Sequence, residues 1–317
     1  MGNDDSSNAA AGYQSISENS MPPQTFEAAF EASHKALRAM ARGDPGPSQQ
    51  QYSQRGDEAL SNPLVPPIVG HDNIAKETAR VAAGFTGGLE TFEFEEVVRV
   101  VTPALGYVLG FERGRVRRAG SDVVTSMALR VTTVFRREAD GWMLVLRFAD
   151  RNGTDGRGPD RSGLTGLPPQ EPGPDETIPT PDFDTAALAV YAQVQRMMPL
   201  SANLPPAEIR RMGSIWSRRD DVTLANPLGR PIVGWANIRR ESRAVAANWV
   251  GGTTEFEELT RVVTPDLGFT LGYEHYQLRR AGSDEATLLN LRLVTIYRRE
   301  EDGWKRLLRH ADRIPIA

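Results

Sequence analysis

The chain has 317 residues, of which 39% are hydrophobic and 25% charged, with a formal net charge of -4 and no cysteine. That length accommodates two ordinary domains with modest cores, and the composition excludes disulfides, thiol nucleophiles and cysteine-ligated zinc. The acidic balance supplies no general attraction to phosphate, so nucleic acid is not an expected partner.

Residues 1–24 are polar with hardly an apolar anchor and read as a disordered lead. No basic segment followed by an apolar run opens the chain, and nothing approaches the roughly 20 apolar residues of a membrane helix. A soluble, cytoplasmic protein with no membrane partner is therefore expected. Helical periodicity begins at Phe26, with Phe26, Ala29, Phe30, Ser33, Leu37 and Met40 on one face, and ends at Gly43-Asp44-Pro45-Gly46-Pro47. Arg151 to Pro181 is crowded with Gly, Pro, Asp and Thr and predicts a linker; periodicity resumes over Phe183 to Met198. The resulting division is a first domain at 25–151, a linker at 152–181 and a second domain at 182–317.

An internal repeat organises the rest. Phe94 to Asp122 (FEEVVRVVTPALGYVLGFERGRVRRAGSD) aligns with Phe256 to Asp284 (FEELTRVVTPDLGFTLGYEHYQLRRAGSD), and the flanking Asn-Pro-Leu, Pro-Ile-Val-Gly and Asp-Gly-Trp segments recur in the same order. A period this long is a whole domain, so the chain reads as a tandem duplication. In the second copy a helix is predicted from about Trp235 to Trp249, stopped by a left-handed cap at Gly251-Gly252. Strands follow at Phe256 to Val263, Phe269 to Arg280, Thr287 to Glu300 and Trp304 to Asp312, with a hairpin at Ala281-Gly282-Ser283-Asp284. Helices first and a long-stranded meander after predict an α+β layer in which a curved antiparallel sheet wraps around helices.

The segment Trp216 to Trp235 (WSRRDDVTLANPLGRPIVGW) and its upstream twin Tyr52 to His71 share an aromatic residue followed by Ser, an extended Asn-Pro-Leu and a Gly at a helix start. With the terminal Trp304-to-Asp312 strand, this pattern resembles the SnoaL-like and ketosteroid-isomerase-like branch of the NTF2-like superfamily, over Ile209 to Asp312 and more weakly over Gln51 to Asp150. The resemblance implies two cone-shaped α+β barrels, each with a pocket between the concave sheet face and the helices, packed through their sheets as an intrachain pseudo-dimer. It implies an apolar, oxygenated small molecule as ligand and no cofactor. The superfamily also hosts non-catalytic binding and interaction domains.

The isomerases' general base precedes a proline; here Asn62 and Asn226 stand there, and an amide accepts no proton at neutral pH. The resemblance sets Thr133 and Thr295 at the level of the isomerases' sheet oxyanion donor and Tyr191 at that of their tyrosine donor, with His34 on similar ground in the first copy. Period-two alternation predicts Trp304, Arg306, Leu308, His310 and Asp312 on one face of the last strand, with His310 and Asp312 roughly 7 Å apart. These two are the candidate acid and base, because histidine titrates near neutrality; a hydrogen-bonded, inert strand-end histidine is the competing reading. Asn226, Trp216, Trp235, Trp249, Phe256 and Tyr273 are candidate pocket residues, with turn-forming and core roles as the alternatives. The four histidines occupy no metal-ligand spacing. Glu112 with Arg130, and Glu274 with Arg292, are expected to pair across adjacent strands.

Overall fold

A computed structural model describes residues 22–63, 65–151, 180–197, 213–227, 229–246, 249–280, 283 and 285–314. Nearly all of the predicted lead and linker, and most of the Ala281-Gly282-Ser283-Asp284 hairpin, lie outside the described residues. So does the side chain of Trp249.

Thr25 starts helix α1 (Phe26–Met40) by accepting the Ala28 N–H at 3.1 Å. Phe26, Ala29, Phe30, Ala36 and Ala39 form its buried stripe, with Ser33, Leu37 and Met40 half-buried beside them. There follow α2 (Gly46–Gln51), β1 (Ala59–Ser61), β2 (Ile68–Val69), α3 (His71–Ala82), β3 (Phe85–Val101), β4 (Leu105–Arg118), β5 (Val124–Glu138) and β6 (Gly141–Asp150). The second half runs α4 (Phe183–Met197), β7 (Thr223–Ala225), β8 (Ile232–Val233), α5 (Trp235–Ala246), β9 (Trp249–Val263), β10 (Leu267–Arg280), β11 (Ala286–Glu300) and β12 (Gly303–Arg313).

Each half builds one six-stranded sheet, ordered β2-β1-β6-β5-β4-β3 and β8-β7-β12-β11-β10-β9. The long strands pair antiparallel, while β1 joins β6 and β7 joins β12 in parallel. This is the α+β architecture expected from the sequence, but the sheets are open: β2 and β3, or β8 and β9, lie at opposite edges. A closed barrel would need those edges to pair. Helix α5 ends at Ala246, and β9 begins seven residues before the predicted Phe256, absorbing Gly251 and Gly252. Gly252 is needed for close strand approach rather than as a helix cap, since a Cβ there would meet the Gln277 carbonyl of β10. Among the described residues no helix is long and apolar enough to cross a membrane.

A β-bulge in each last long strand decides which side chains face where. Ile296 pairs with Leu308 and Tyr297 with Arg306, leaving Leu307 as an extra residue; Val145 is its counterpart between Leu146 and Leu144. The bulge reverses alternation midway along β12. Trp304 packs with the helices, whereas Leu307 and Leu308 belong to a core on the other face.

That other face is shared. Leu105, Tyr107, Leu109, Val134, Leu146 and Phe148 of the first sheet form one buried cluster with Val262, Leu267, Phe269, Leu271, Val294, Ile296 and Leu308 of the second. Each fully buried side chain of this kind contributes roughly 1.5–3 kcal/mol relative to exposure, so the contact between sheets is chiefly apolar. Two buried arginines cross it. Arg130 on β5 donates to Asp150 of its own sheet and to the carbonyls of Asn226 (2.8 Å) and Ala311 (3.1 Å) of the other. Arg292 on β11 donates to Asp312, to the Asn62 carbonyl, to the Ala149 carbonyl (2.7 Å) and to the Ser61 hydroxyl (3.0 Å). The two sets are reciprocal, as contacts across a twofold axis are.

The expected Glu112–Arg130 and Glu274–Arg292 pairs do not form. Register sets Glu112 opposite Leu129, with Arg130 opposite Phe111, so carboxylate and guanidinium lie on opposite faces; Glu274 opposite Leu291 repeats the offset. Glu112 takes Arg147 through bonds of 2.8 and 2.7 Å instead, and Glu274 takes Arg309.

Arg130→Met leaves the Asp150 carboxylate buried without its cation and should cost about 3–5 kcal/mol in urea unfolding. Adding Asp150→Leu should recover most of that loss; additive losses in the double variant would mean the two do not act as a pair.

Candidate functional site

The Trp216–Trp235 segment is a brace. Ser217 Oγ and Asp221 receive Arg298 at 2.7 and 2.6 Å, and Glu300 receives it at 3.1 Å. In the first half Ser53, Asp57 and Glu138 hold Arg136 at 2.8, 2.6 and 3.0 Å. An arrangement identical in both halves ties the segment before β1 or β7 to its sheet. Gly70 and Gly234, at φ 90° and 88°, then turn the chain into α3 and α5, where Asn73 and Asn237 return a hydrogen bond to Val69 and Val233.

His310 and Asp312, predicted to share a face with Trp304 and Arg306, lie on the opposite one because the Leu307 bulge intervenes. His310 is fully buried between the sheets. Its Nδ1 lies 2.7 Å from Thr132 Oγ1, its Nε2 2.8 Å from Asp150, and its ring meets Phe148 edge-on at 4.6 Å. Burial, reinforced by the charge of Arg130, lowers its pKa to about 4. A neutral imidazole suits this setting: Nδ1 shares a proton with Thr132, and Nε2 lies between the Asp150 carboxylate and the Nε–H of Arg130, 3.1 Å away. Burial alone would raise Asp150, but the His310 hydrogen bond and the Arg130 charge outweigh it and hold the carboxyl below the usual range. Asp312 is bound by Arg292; burial and the charge of Asp150 raise its pKa. Neither candidate acid–base group is presented to the helix-side face.

That helix-side, concave face carries a different set. Cross-strand pairing aligns Gly268, Tyr297 and Arg306 in one row, and Thr270, Thr295 and Arg309 in the next. Tyr191 on α4 stacks on Phe256 at 3.6 Å, with its hydroxyl 3.4 Å from Thr270 Oγ1. Glu274 takes Arg309 and accepts the Tyr276 hydroxyl at 2.5 Å. Arg309 also donates to Asn226 Oδ1 at 2.7 Å, so the Asn226 amide orients an arginine. Arg306 is 4% exposed and lies over the Trp216 ring at 4.8 Å. Burial opposes its charge; Tyr297 and Glu274 favour it, and Arg309 opposes it.

Several of these buried groups have no partner: both amide atoms of Gln193, the Thr295 and Tyr297 hydroxyls, and Nε and Nη2 of Arg306. The Tyr297 hydroxyl is near enough to those of Thr270 and Tyr191 to feel them as hydrogen-bond neighbours, but neither is aligned on it as a bond. A buried polar group left unpaired costs about 1–3 kcal/mol, and a charged one more. The first half keeps a threonine, Thr133, where the second has Thr295, but is apolar at other positions of this face. Val108, Phe135 and Leu144 stand in register where the second half has Thr270, Tyr297 and Arg306. Phe26 and Phe183 begin helices of equal length and meet Phe135 with Trp142, and Tyr297 with Trp304, respectively. This correspondence matches Phe30, His34 and Ala36 to Ala187, Tyr191 and Gln193. Phe30 fills the first concave face, packing on Phe94 and His34.

The structure thus brings Tyr191, Trp216, Asn226 and Thr295 to one face. Trp235 packs at the edge of the same helix-side core, and a surface cleft beside Trp216 is lined by Ser214, Arg218, Glu300, Asp302 and Lys305. Tyr273 alternates with Glu274 onto the opposite face, across from Arg292. Sequence reasoning missed Gln193, Tyr297 and Arg306 as concave-face groups, although the Phe135/Tyr297 and Leu144/Arg306 differences between copies were readable. Among the described residues no cluster of His, Asp or Glu could hold a metal ion.

The structure is similar to solved structures of NTF2-like and ketosteroid-isomerase-like proteins. A putative dehydratase of the NTF2-like family from Streptomyces avermitilis matches at 23% identity over 39% of this chain and 94% of that one, with a TM-score of 0.33. A ketosteroid isomerase-like protein from Erwinia carotovora atroseptica matches at 24% identity over 39% and 92%, with a TM-score of 0.34. A putative calcium/calmodulin-dependent protein kinase type II association domain from Thiobacillus denitrificans matches at 21% identity over 44% and 100%, with a TM-score of 0.35. Likeness at this level bears on neither activity nor ligand. No family model matches the chain, and no curated protein does.

Below its unfolded pKa near 6.5, unfolded His310 takes up a proton that the folded protein refuses until about pH 4. Stability is therefore fully present above pH 6.5 and falls between there and 4, by up to about 1.4 kcal/mol per pH unit from this group. His310→Phe, which installs the residue of its counterpart Phe148, should flatten the measured slope in that window. An unchanged slope would show that His310 protonates freely when folded.

Proposed function

We propose that the chain is a tandem pair of SnoaL-like domains, 25–151 and 182–317, joined as an intrachain pseudo-dimer, and that it binds a small oxygenated molecule in the second domain. The pocket lies between α4 and the concave face of β10, β11 and β12, with Tyr191, Trp216, Thr295, Tyr297 and Arg306 as ligand contacts. The first domain serves as its structural partner. One observation supports this reading above the others: unpaired buried polar groups gather on the second concave face at positions where the first has Phe135 and Leu144. Selection keeps such costly groups where function uses them.

Binding fits the described residues better than catalysis. His310 and Asp312 are bonded between the sheets, and Glu274 is committed to Arg309 and Tyr276. An isomerase- or dehydratase-type reaction in the same pocket is the second reading, favoured by the Tyr191 and Thr295 hydroxyls as donors to a carbonyl oxygen. It requires a base that these groups do not offer in free form.

The test transplants the first domain's residues, in the variant Thr270→Val, Tyr297→Phe, Arg306→Leu. Wild type should retain or take up a small molecule under native mass spectrometry. The triple variant should not, and should unfold at equal or higher denaturant, by about 1–3 kcal/mol for each unpaired group removed. Marked destabilisation with unchanged binding would contradict the proposal.

A further inference from the structure

The chemistry of the ligand is narrowed by Arg306. Its unpaired atoms, Nε and Nη2, are the neighbouring donors on one edge of the guanidinium. Elsewhere in this chain that same edge grips carboxylates: Arg80 holds both oxygens of Glu77 at 2.7 and 2.6 Å through Nε and Nη2, and Arg261 holds Glu258 with the same pair. Two parallel N–H donors match the two oxygens of a carboxylate in spacing and plane. The Trp216 ring, 4.8 Å from the guanidinium carbon, covers one face of that plane and leaves the edge as the route of approach.

The surrounding charge sets the valence. Arg306 and Arg309 stand against Glu274, which Arg309 already engages. One positive charge remains to be met, and a dianion such as a phosphate monoester would bring its second charge towards Glu274, with Arg309, already engaged, the other cation acting on Arg306. Beside Arg306, the Tyr297 hydroxyl lies directly across the strand pair and the Thr295 hydroxyl one row along, both buried and unpaired.

Resting on the pocket proposed above, we infer that the second domain takes a small organic monocarboxylate. Its carboxylate is gripped by the Nε and Nη2 edge of Arg306, and a further oxygen meets Tyr297 or Thr295. Arg306 here is a binding residue.

Calorimetric titration of protein shown by native mass spectrometry to carry no bound molecule tests this, using benzoate and butanoate against benzamide and butanamide, with inorganic phosphate as a third arm. The acids should bind about tenfold or more tightly than their amides. Arg306→Leu, which restores the apolar residue of the first domain, should abolish the preference, and Arg306→Lys, which keeps the charge but loses the edge, should weaken the acids about tenfold. Acids and amides binding alike, or phosphate binding more tightly than either acid, would overturn the carboxylate assignment while leaving the pocket in place. Failure of every probe to bind wild type would overturn both.

Discussion

The reciprocal pair Arg130 and Arg292 is the constraint on which the rest depends. Each guanidinium is buried, each is charge-balanced by an aspartate on its own sheet, and each turns donors to the other sheet: both reach backbone carbonyls, Arg130 also reaches His310 Nε2 and Arg292 the Ser61 hydroxyl. A buried cation tolerates no misplacement of its acceptors, so the two pairs fix the register of one sheet on the other in a way that the surrounding apolar cluster alone would not. The carbonyls they use belong to Asn62, Asn226, Ala149 and Ala311, residues at the ends of the short parallel strands and of the last long ones. Fixing the sheets therefore also fixes the turn from which Asn226 reaches Arg309.

With the scaffold symmetric, the differences between halves become informative. The intersheet face deviates at His310 against Phe148, a neutral imidazole substituting for an aromatic ring with its nitrogens satisfied by Thr132 and Asp150. The concave face deviates towards polarity in the second half at several positions: Thr270 for Val108, Tyr297 for Phe135, Arg306 for Leu144, and Gln193 for Ala36. Ala187 for Phe30 removes an aromatic ring from the same region. The first half demonstrates that this backbone packs well with an apolar filling, so stability does not require the second half's substitutions.

Much of the fold was legible because its signals are local or repeated. The helix beginning at Phe26 and the meander of long strands follow from periodicity and turn residues, and the repeated segments fall on matching strands of the two sheets. The sites were less legible, for two geometric reasons. A bulge at Leu307 is invisible to an alternation rule, and one extra residue is enough to move His310 and Asp312 from the concave face to the intersheet face while leaving Arg306 behind. The hairpin offset works similarly: chain distance from Ala281-Gly282 suggested Glu274 opposite Arg292, but the register differs by one and sends them to opposite faces. Alternation along β12 says nothing of Arg306; only its register match to Leu144 does.

The central claim is that one concave face is open to a ligand while its counterpart is filled. A crystal structure of the chain as purified tests this most directly. The account predicts electron density for a small molecule against the Nε and Nη2 edge of Arg306, with Phe30 closing the equivalent region of the first half. Arg306 found with all its donors bonded to protein groups, and no space between α4 and β11, would contradict it.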